Sequence, residues 1–505
     1  MVGLKKNISC GKPIENSKKR CVIKKIRTHM IKWGVSAGTH DASLAVVKDN
    51  NILFASNSER YSGVKNDPDL CQSLINDALE FGEPDTIYWY ENPHKKALRK
   101  LIAGQSNIWS SPKKYLKKYN ISGKIIIGNH HESHAFAGFA TSTFNKSAAL
   151  VIDAVGEFTT TSISSFSNIS GNITNKTLYK KRYPHSLGLF YTAITSRVGL
   201  KPNEDEYILM GMSAYGKPLY VNEMRKLLEC GYNFHQGCKN LLPDADHFDL
   251  ASSAQQIYEE EFIKLLYKTK ELTGEDNLVI MGGCALNCLA NRHAKKLFDN
   301  VWIMPNPSDA GSSIGAIASK EKKMLEWNNP YLGKNIDGEY PVDEAIDELI
   351  RNKIVGIANG RAEFGPRALG NRSLLADPTG KEMKELVNKI KKRQEFRPFA
   401  PVILQSEVHN YFHVDEGFES PYMQYVVMAK DPEKFPAITH YDGTSRVQTV
   451  TKEQHDGLWR LLTKYHEKTG IPMLLNTSLN IKGYPIANTK VDAELFEEVY
   501  GVKIV

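Results

Sequence analysis

Three histidines fall within five residues of the segment IIIGNHHESHAFAGF, residues 125–139. On a helix, residues four apart share a face, so His130 and His134 can direct their imidazoles at one ion while His131 points elsewhere. The spacing alone is weak evidence, because it also arises by chance or for structural reasons. Two imidazoles leave a metal site incomplete, and carboxylates or water usually supply the remaining ligands.

Two aspartates are placed to complete such a site. Asp153 ends the apolar run of VIDAVGE, just before a glycine, and Asp309 in PNPSDAGSSIGA precedes a small-residue segment that can begin a helix. Each has a structural alternative, since Asp153 could form a turn and Asp309 could cap a helix. Both interpretations stay open on the local sequence alone.

The motif MGGCALNC suggests a second kind of chemistry. Gly282 and Gly283 lie between an apolar run and a helix-like segment. There the backbone can approach a phosphate or sugar closely, and Asn287 could add an amide contact. Tight strand-to-helix turns use such glycine pairs routinely, so the motif is not specific.

Cations are concentrated in GRAEFGPRALGNRS and KIKKRQEFRPFAP, with more polar groups in HYDGTSRVQTV and LLNTSLN. A charge run is usually a solvated face. Here the arginines stand among Phe, Pro and Gly, which predicts that some are partly buried, where guanidinium groups suit phosphate or carboxylate recognition. Together these motifs predict an anion site for a nucleotide or acyl phosphate, formed by Arg361, Arg367, Arg372, Lys391, Lys392, Arg393, Arg397, Arg446, Ser478 and Asn480.

The elements that carry these residues follow from hydrophobic periodicity. IKWGVSAG, ASLAVVKD and NILFASNSER predict three strands, with a hairpin turn at 49–51, and SAALVIDAVGEF, TTTSISSFS and KTLYKKRYP predict three more. Two such units predict an α/β fold with a duplicated actin- or Hsp70-like core. Helices are predicted over 252–272 and 381–393, the second with an apolar face of Met383, Leu386, Val387 and Ile390.

Composition excludes several classes of protein. There is no run of about 18 apolar residues, and residues 1–29 lack the apolar core of a secretory signal, so we expect a cytoplasmic protein without a membrane span. Seven cysteines without a CxxC pair argue against a disulfide framework and a zinc ribbon. Residues 1–29 account for the whole net charge of +8. We interpret them as a basic, disordered extension, with a nucleic-acid interaction arm as the alternative.

The order of the motifs resembles one family. THDASLAVV, SER, HHESHAFAGF, DAVGE, MGMSAYGKP, GGCALN, NPSDAGSSIGA, GRAEFGPRALGNRS, FRPFAP, HYDGTSRVQTV and NTSLN are similar, in this order, to O-carbamoyltransferases of the nodulation-factor, tobramycin and cephamycin type. The resemblance runs from Met30 to about Pro485. It implies an actin-like domain of the ASKHA class, similar to threonylcarbamoyl transferases, over 30–330, and a YrdC-like domain over 340–505. The boundary would fall in the Asn-, Gly- and Pro-rich stretch 328–341.

The resemblance also implies a reaction. The C-terminal domain would make carbamoyl adenylate from carbamoyl phosphate and ATP, with Mg²⁺ a candidate companion of ATP. The N-terminal domain would pass the carbamoyl group to the hydroxyl of a sugar, nucleoside or other small molecule, beside a divalent metal, iron(II) in this family. The resemblance implies that the metal ligands are His130, His134, Asp153 and Asp309. It also implies that adenylate binds at the GGCALN glycines. The residues that line the adenylation site would be Lys391, Arg393, Arg397, Ser478 and Asn480, with the GPRALGNR arginines nearby.

Two points stay open at this level. His131 or His40 could accept the proton of the acceptor hydroxyl, because imidazole titrates in the required range. Leu479 and Tyr484 stand where the family usually has phenylalanine and glutamate, and Tyr484 puts details of the adenylation pocket in doubt. The alternative function is a non-catalytic nucleotide- or nucleic-acid-binding protein that keeps the fold.

Overall fold

Apolar runs at the beginning of the chain form the first sheet of the computed structural model. The structure describes residues 30–105, 111–394, 396–397 and 399–505, so the predicted basic extension lies outside the described residues. The sheet has the order β3-β2-β1-β4-β5, antiparallel from β1 to β3 and parallel from β1 to β5. Its strands are β1 Ile31–Ser36, β2 Ser43–Lys48, β3 Asn51–Asn57, β4 Thr86–Trp89 and β5 Lys124–Ile127.

A second sheet repeats this arrangement. Its order is β8-β7-β6-β9-β10, with antiparallel pairing from β6 to β8 and parallel pairing from β6 to β10. The two sheets therefore have the same strand order and orientation, which confirms the predicted pair of hairpin units. The strands are β6 Lys146–Gly156, β7 Thr159–Ile169, β8 Asn172–Arg182, β9 Asn277–Met281 and β10 Asn300–Trp302.

Helices cover and connect the two sheets. Small residues let two of them, α5 and α11, approach closely: a Cβ on Gly315 would lie 1.8 Å from the carbonyl oxygen of Ser133. This contact fixes the position of the histidine-bearing helix α5. The helices are α1 Glu59–Ser62, α2 Gln72–Leu79, α3 Pro93–Ile102, α4 Pro112–Lys117, α5 His130–Thr141, α6 Leu187–Arg197, α7 Glu206–Met212, α8 Val221–Glu229, α9 His247–Thr273, α10 Cys288–Asn291 and α11 Ser312–Glu321.

The C-terminal third builds a six-stranded sheet of order β12-β14-β18-β15-β17-β16, and a separate strand pair, β11 with β13. Its strands are β11 Tyr331–Ile336, β12 Ile354–Ala358, β13 Gly360–Glu363, β14 Arg372–Ala376, β15 Ala400–Leu404, β16 Tyr425–Met428, β17 Thr444–Val450 and β18 Met473–Ser478. Its helices are α12 Val342–Asn352, α13 Lys381–Lys391, α14 Val408–Tyr411, α15 Asp456–Thr469 and α16 Lys490–Tyr500. The described chain is thus a mixed α/β fold, as predicted.

Several local predictions need correction. Strand β11 lies within 328–341, and the domain boundary expected in this stretch stays a prediction. The helix expected after Gly283 is broken into the 3₁₀ turn Gly283–Leu286 and short α10, since the Asn287 side chain caps a new turn by accepting from Ala290. Leu386 lies at the edge of the apolar stripe of α13 and is 40% exposed. The other 3₁₀ turns are Phe234–Gln236, Ala294–Lys296, Asp309–Gly311 and Gln405–Glu407.

Candidate metal centre and anion site

Four buried side chains converge between the two repeated sheets. One ligand atom from each of His130, His134, Asp153 and Asp309 lies within 4.8 Å of all the others. The His130 Nε2 is 3.1 Å from Asp153 Oδ2 and 3.2 Å from His134 Nε2, while His134 Nε2 is 3.1 Å from Asp309 Oδ1. The fold thus brings together all four residues that the sequence nominated as metal ligands.

A backbone N–H holds one carboxylate and a side-chain hydroxyl holds the other. Asp153 lies near the end of β6, and its Oδ1 accepts the Gly283 N–H at 3.2 Å. Asp309 begins the 3₁₀ turn ahead of α11, and its Oδ2 accepts the Thr39 hydroxyl at 3.4 Å. Each aspartate therefore keeps its other oxygen, Asp153 Oδ2 and Asp309 Oδ1, beside the imidazoles.

The first histidine is confined by its neighbours. His130 opens α5, and its backbone N–H donates to Glu157 at 3.4 Å. On the other side of the ring, a Cβ built on Gly156 would lie only 2.0 Å from the His130 Cδ2. Only glycine at 156 leaves room for this ring.

The electrostatics fit a divalent cation. Burial disfavours the protonated form of His130, but the charge of Asp309 and hydrogen bonds to Asp153 and Asp309 raise the pKa of His130 well above its usual range. Burial likewise opposes ionisation of Asp309, and the charge of His130 lowers the pKa of that carboxyl. Two carboxylates and two neutral imidazoles carry two negative charges, and this donor set suits a divalent transition metal.

The two histidines proposed as the base differ in their surroundings. His131 is buried with both ring nitrogens engaged, Nε2 donating to the Thr159 carbonyl at 3.0 Å and Nδ1 lying 2.9 Å from the Ser162 hydroxyl. Burial, together with the charge of His130, lowers the pKa of His131 to about 3. The structure therefore argues against His131 as the proton acceptor.

His40 lies on the loop between β1 and β2, with Nδ1 3.4 Å from Asp41 Oδ2. Burial favours its neutral ring, but the hydrogen bond to Asp41 and the charge of Asp309 raise the pKa of His40 overall. A divalent ion bound to Asp309 would remove much of that effect, so the role of His40 as the base stays a prediction.

The residues of the GGCALN motif that the sequence assigned to adenylate make contacts within the chain. Gly282 has a φ of 93°, and a Cβ there would lie 2.1 Å from the Ile152 carbonyl oxygen, so it permits close packing on β6. The Gly283 N–H is already bound to Asp153. Asn287 exchanges two hydrogen bonds with Gln255, at 3.0 and 3.2 Å. These contacts occupy groups that the sequence assigned to adenylate.

A second cluster forms around Lys391 at the end of α13. Its ammonium donates to the Ser478 carbonyl at 2.6 Å and to the Asn480 carbonyl at 3.0 Å, and the Ser478 hydroxyl donates to Asn480 Oδ1 at 2.6 Å. Burial and the charges of Arg393 and Arg397 lower the pKa of Lys391 well below its usual range. The structure brings these five predicted anion-site residues together.

Two more predicted arginines extend this cluster. Burial and the charge of Arg446 lower the pKa of Arg367 to about 9. Burial also lowers the pKa of Arg446, and Arg397 adds to the effect. The Arg446 Nε is buried without a hydrogen-bond partner among the described residues. We call Arg367, Lys391, Arg393, Arg397 and Arg446 the cationic cluster.

The cationic cluster lies where the C-terminal sheet meets the N-terminal part of the chain. The Arg397 guanidinium lies 4.7 Å from the centre of the Tyr207 ring, and the Tyr215 hydroxyl donates to the Phe396 carbonyl at 2.9 Å. Several like charges in a buried place are costly unless an anion balances them. The cluster is therefore suited to bind a phosphorylated ligand.

The other two predicted arginines have structural roles. Arg372 lies in β14, and its five N–H groups all donate to backbone carbonyls, those of Lys334, Asn359, Gly360, Asn371 and Asn488. Arg361 lies in β13 and donates to the carbonyls of Leu53, Leu332 and Gly333. Because every donor of Arg372 is occupied, the prediction that Arg372 belongs to the anion site is corrected. The bonds of Arg361 use only its Nε and Nη2, so its place in the anion site stays a prediction. Lys392, also predicted there, ends α13 with its ammonium 6.0 Å from the Tyr500 ring.

The two departures from the family pattern differ in their surroundings. Leu479 is fully buried in the core of the C-terminal sheet, where an apolar replacement changes only packing. Tyr484 is 59% exposed, and its carbonyl accepts from the Asn480 side chain at 2.9 Å. The Tyr484 contact to the anion site is thus made by backbone.

Comparison with known proteins decides the family. A model described as "Carbamoyltransferase N-terminus" matches residues 72–246 and 235–318, and "Carbamoyltransferase C-terminus" matches residues 346–503. The nodulation protein NolO of Bradyrhizobium diazoefficiens is 32% identical over 72% of this chain and 75% of its own length. The chain belongs to the carbamoyltransferase family. It is accordingly an enzyme, a carbamoyltransferase.

Two further similarities accompany this carbamoyltransferase. An uncharacterized protein of Synechocystis is 33% identical over 92% of the chain and 93% of its own length. Among solved structures, full-length HypF in its phosphate- and nucleotide-bound form is 12% identical, covers 58% of this chain and 55% of its own, and has a TM-score of 0.32. Across the described ranges, no helix combines the length and apolar character required to cross a membrane.

Proposed function

We propose that the chain is an ATP-dependent O-carbamoyltransferase with two separate sites. The observation that carries this proposal is the pairing, in one chain, of a buried two-histidine, two-aspartate group with a partly buried cationic cluster. A single-step transferase needs no second site of opposite charge. An enzyme that activates the carbamoyl group first, and transfers it later, needs both.

The first step takes place at the cationic cluster. Water hydrolyses carbamoyl phosphate to carbamate and phosphate, and a carbamate oxygen then attacks the α-phosphorus of ATP, so that pyrophosphate leaves and carbamoyl adenylate forms. Arg367, Arg393, Arg397 and Arg446 would bind the phosphates, and their positive charge at the reacting phosphorus would stabilise the transition state, while Lys391 would line the site through its bonds to Ser478 and Asn480. Mg²⁺ would accompany ATP. Ser478 and Asn480 position Lys391 through the bonds described above.

The second step takes place beside His130, His134, Asp153 and Asp309. A bound divalent metal, iron(II) in our proposal, would polarise an oxygen of the carbamoyl adenylate or the acceptor. The acceptor hydroxyl attacks the carbamoyl carbon while its proton passes to His40, AMP leaves, and the product is an O-carbamoylated small molecule, such as a sugar or nucleoside.

The same proposal extends to the fold. The repeated sheets support an actin-like N-terminal domain over 30–330, and the C-terminal sheet with its cationic cluster supports a YrdC-like adenylation domain over 340–505. The alternative, a non-catalytic binding protein, has no observation in its favour.

The test is product formation with purified protein. The proposal requires AMP release that depends on carbamoyl phosphate, ATP and an acceptor together, with a mass gain of one carbamoyl group on the acceptor. A panel of sugars, aminoglycosides and nucleosides would identify the acceptor class. AMP release that does not require carbamoyl phosphate would contradict the proposed first step.

A further inference from the structure

A buried carboxylate lies behind the first metal ligand. Glu91 follows β4 and is 3% exposed. Its Oε2 is 3.5 Å from the Nδ1 of His130, the ring nitrogen that faces away from the four-ligand group. The ligand group contains neither Glu91 nor any other residue of α3 or β4.

A lysine supports this carboxylate from α3. The Lys96 ammonium pairs with the Oε1 of Glu91 and donates to the Gly38 carbonyl at 3.1 Å. Gly38 belongs to the loop that carries Thr39, the residue that donates to Asp309. Lys96 therefore connects the support of His130 with the loop that contacts Asp309.

The chemistry of a ligating imidazole explains why this matters. A histidine that binds a metal through Nε2 carries its proton on Nδ1, and an acceptor for that proton fixes the tautomer and ring plane and makes the ligand more basic. Glu91 is placed to be this acceptor. The Nδ1 atoms of His130 and His134 are both buried without a hydrogen-bond partner among the described residues, but only that of His130 has a recorded carboxylate contact, with Glu91 Oε2 at 3.5 Å.

Charge balance explains the lysine. A third carboxylate would leave the region with three negative charges, more than a divalent ion neutralises. The ammonium of Lys96, 9% exposed, cancels Glu91 and keeps the net charge of the ligand group at two. Without Lys96, Glu91 would be a buried and uncompensated charge, which is strongly unfavourable.

We propose that Glu91 and Lys96 are positioning residues that hold His130 in its metal-binding tautomer and orientation, Glu91 by accepting the Nδ1 proton and Lys96 by holding and neutralising Glu91. This inference rests on the metal site of the proposed function. Lys96 acts through Glu91, so the two residues must not contribute independently.

The experiment measures Co²⁺ affinity of the full chain by titration of the cobalt absorption bands, with thermal unfolding of the metal-free protein in parallel. Glu91→Gln is expected to weaken Co²⁺ binding about 10- to 100-fold, the usual effect of losing a supporting partner of a ligand. Glu132→Gln is the matched control: it changes a partly buried carboxylate of α5 that bonds Lys322, and should leave the affinity within twofold.

The double variant Glu91→Gln/Lys96→Met removes the ion pair without leaving a buried charge, and should bind Co²⁺ no more weakly than Glu91→Gln. Unchanged affinity in both Glu91 variants, beside a loss in His130→Ala, would overturn the positioning role and leave the metal site intact. Equal loss of Co²⁺ affinity in Glu132→Gln would also overturn it. Absence of Co²⁺ binding by the unaltered chain would overturn the metal site and the positioning role together.

Discussion

Replacing Gly156 by alanine is a direct test of the metal centre, because it perturbs a ligand without removing it. The added Cβ would lie 2.0 Å from the His130 Cδ2 and 2.7 Å from its Nε2. Carbon atoms in contact keep about 3.5 Å apart, so the ring would have to withdraw by about 1.5 Å. Metal–ligand distances are held to about 0.2 Å. The shift is several times this tolerance, so His130 should cease to be a ligand.

The expected effect can be put on a scale. Losing a supporting residue costs about 10- to 100-fold in metal affinity, so losing a ligand should cost at least about 100-fold, or about 2.8 kcal/mol. The φ of Gly156 is not left-handed, so only the steric contact penalises alanine. Overpacking should cost about 1–3 kcal/mol of unfolding free energy.

Cobalt titration and urea unfolding of Gly156→Ala would measure both effects. Gly211→Ala is the matched control, since that glycine lies in α7 with its nearest neighbour atom 3.9 Å from the added Cβ. Wild-type metal affinity in Gly156→Ala would refute the assignment of His130 as a ligand in this geometry.

Three further outcomes are expected. Metal affinity should rise with pH, because the raised pKa of His130 means that a metal must displace a proton from the ring. Below that pKa the affinity should increase up to tenfold per pH unit. An affinity that does not change between pH 6 and 8 would contradict this. Arg372→Lys should lower the unfolding free energy by about 2–5 kcal/mol in urea titrations, because the three N–H donors of lysine cannot satisfy the five carbonyls that Arg372 binds. A change below about 1 kcal/mol would show that those bonds are dispensable. Arg446→Met should leave the unfolding free energy unchanged or raise it by about 1 kcal/mol, since a buried cation among like charges is removed. The same variant should raise the KM for ATP or carbamoyl phosphate. An unaffected KM would show that Arg446 is not part of the anion site.

Much of the fold was predictable because its signals are local. The apolar runs of β1 to β3 and of β6 to β8 alternate with short polar turns, and their repetition predicted the duplicated sheets. The HxxxH spacing predicted which imidazoles share a face of α5, and both aspartates stand at element ends, where side chains can reach a common point.

The remaining site residues depend on contacts between distant segments. Arg361 and Arg372 look like phosphate ligands in sequence, but their neighbours in space are carbonyls of other strands. Glu91 and Lys96 lie in an ordinary strand end and a short amphipathic helix, and no spacing connects them to His130. Gly156 is one of 36 glycines, and only the His130 ring beside it identifies its role.

The central claim is that one chain activates the carbamoyl group at one site and transfers it at another. Exchange of labelled pyrophosphate into ATP reports the activation step alone and requires no knowledge of the acceptor. We predict exchange that depends on carbamoyl phosphate. It should be lost in Lys391→Met and persist in the control Lys389→Met. It should also persist in His130→Ala, although that variant fails to carbamoylate any acceptor. Exchange that is absent from the unaltered chain, or that disappears with His130 while metal-free folding is intact, would contradict the two-site account.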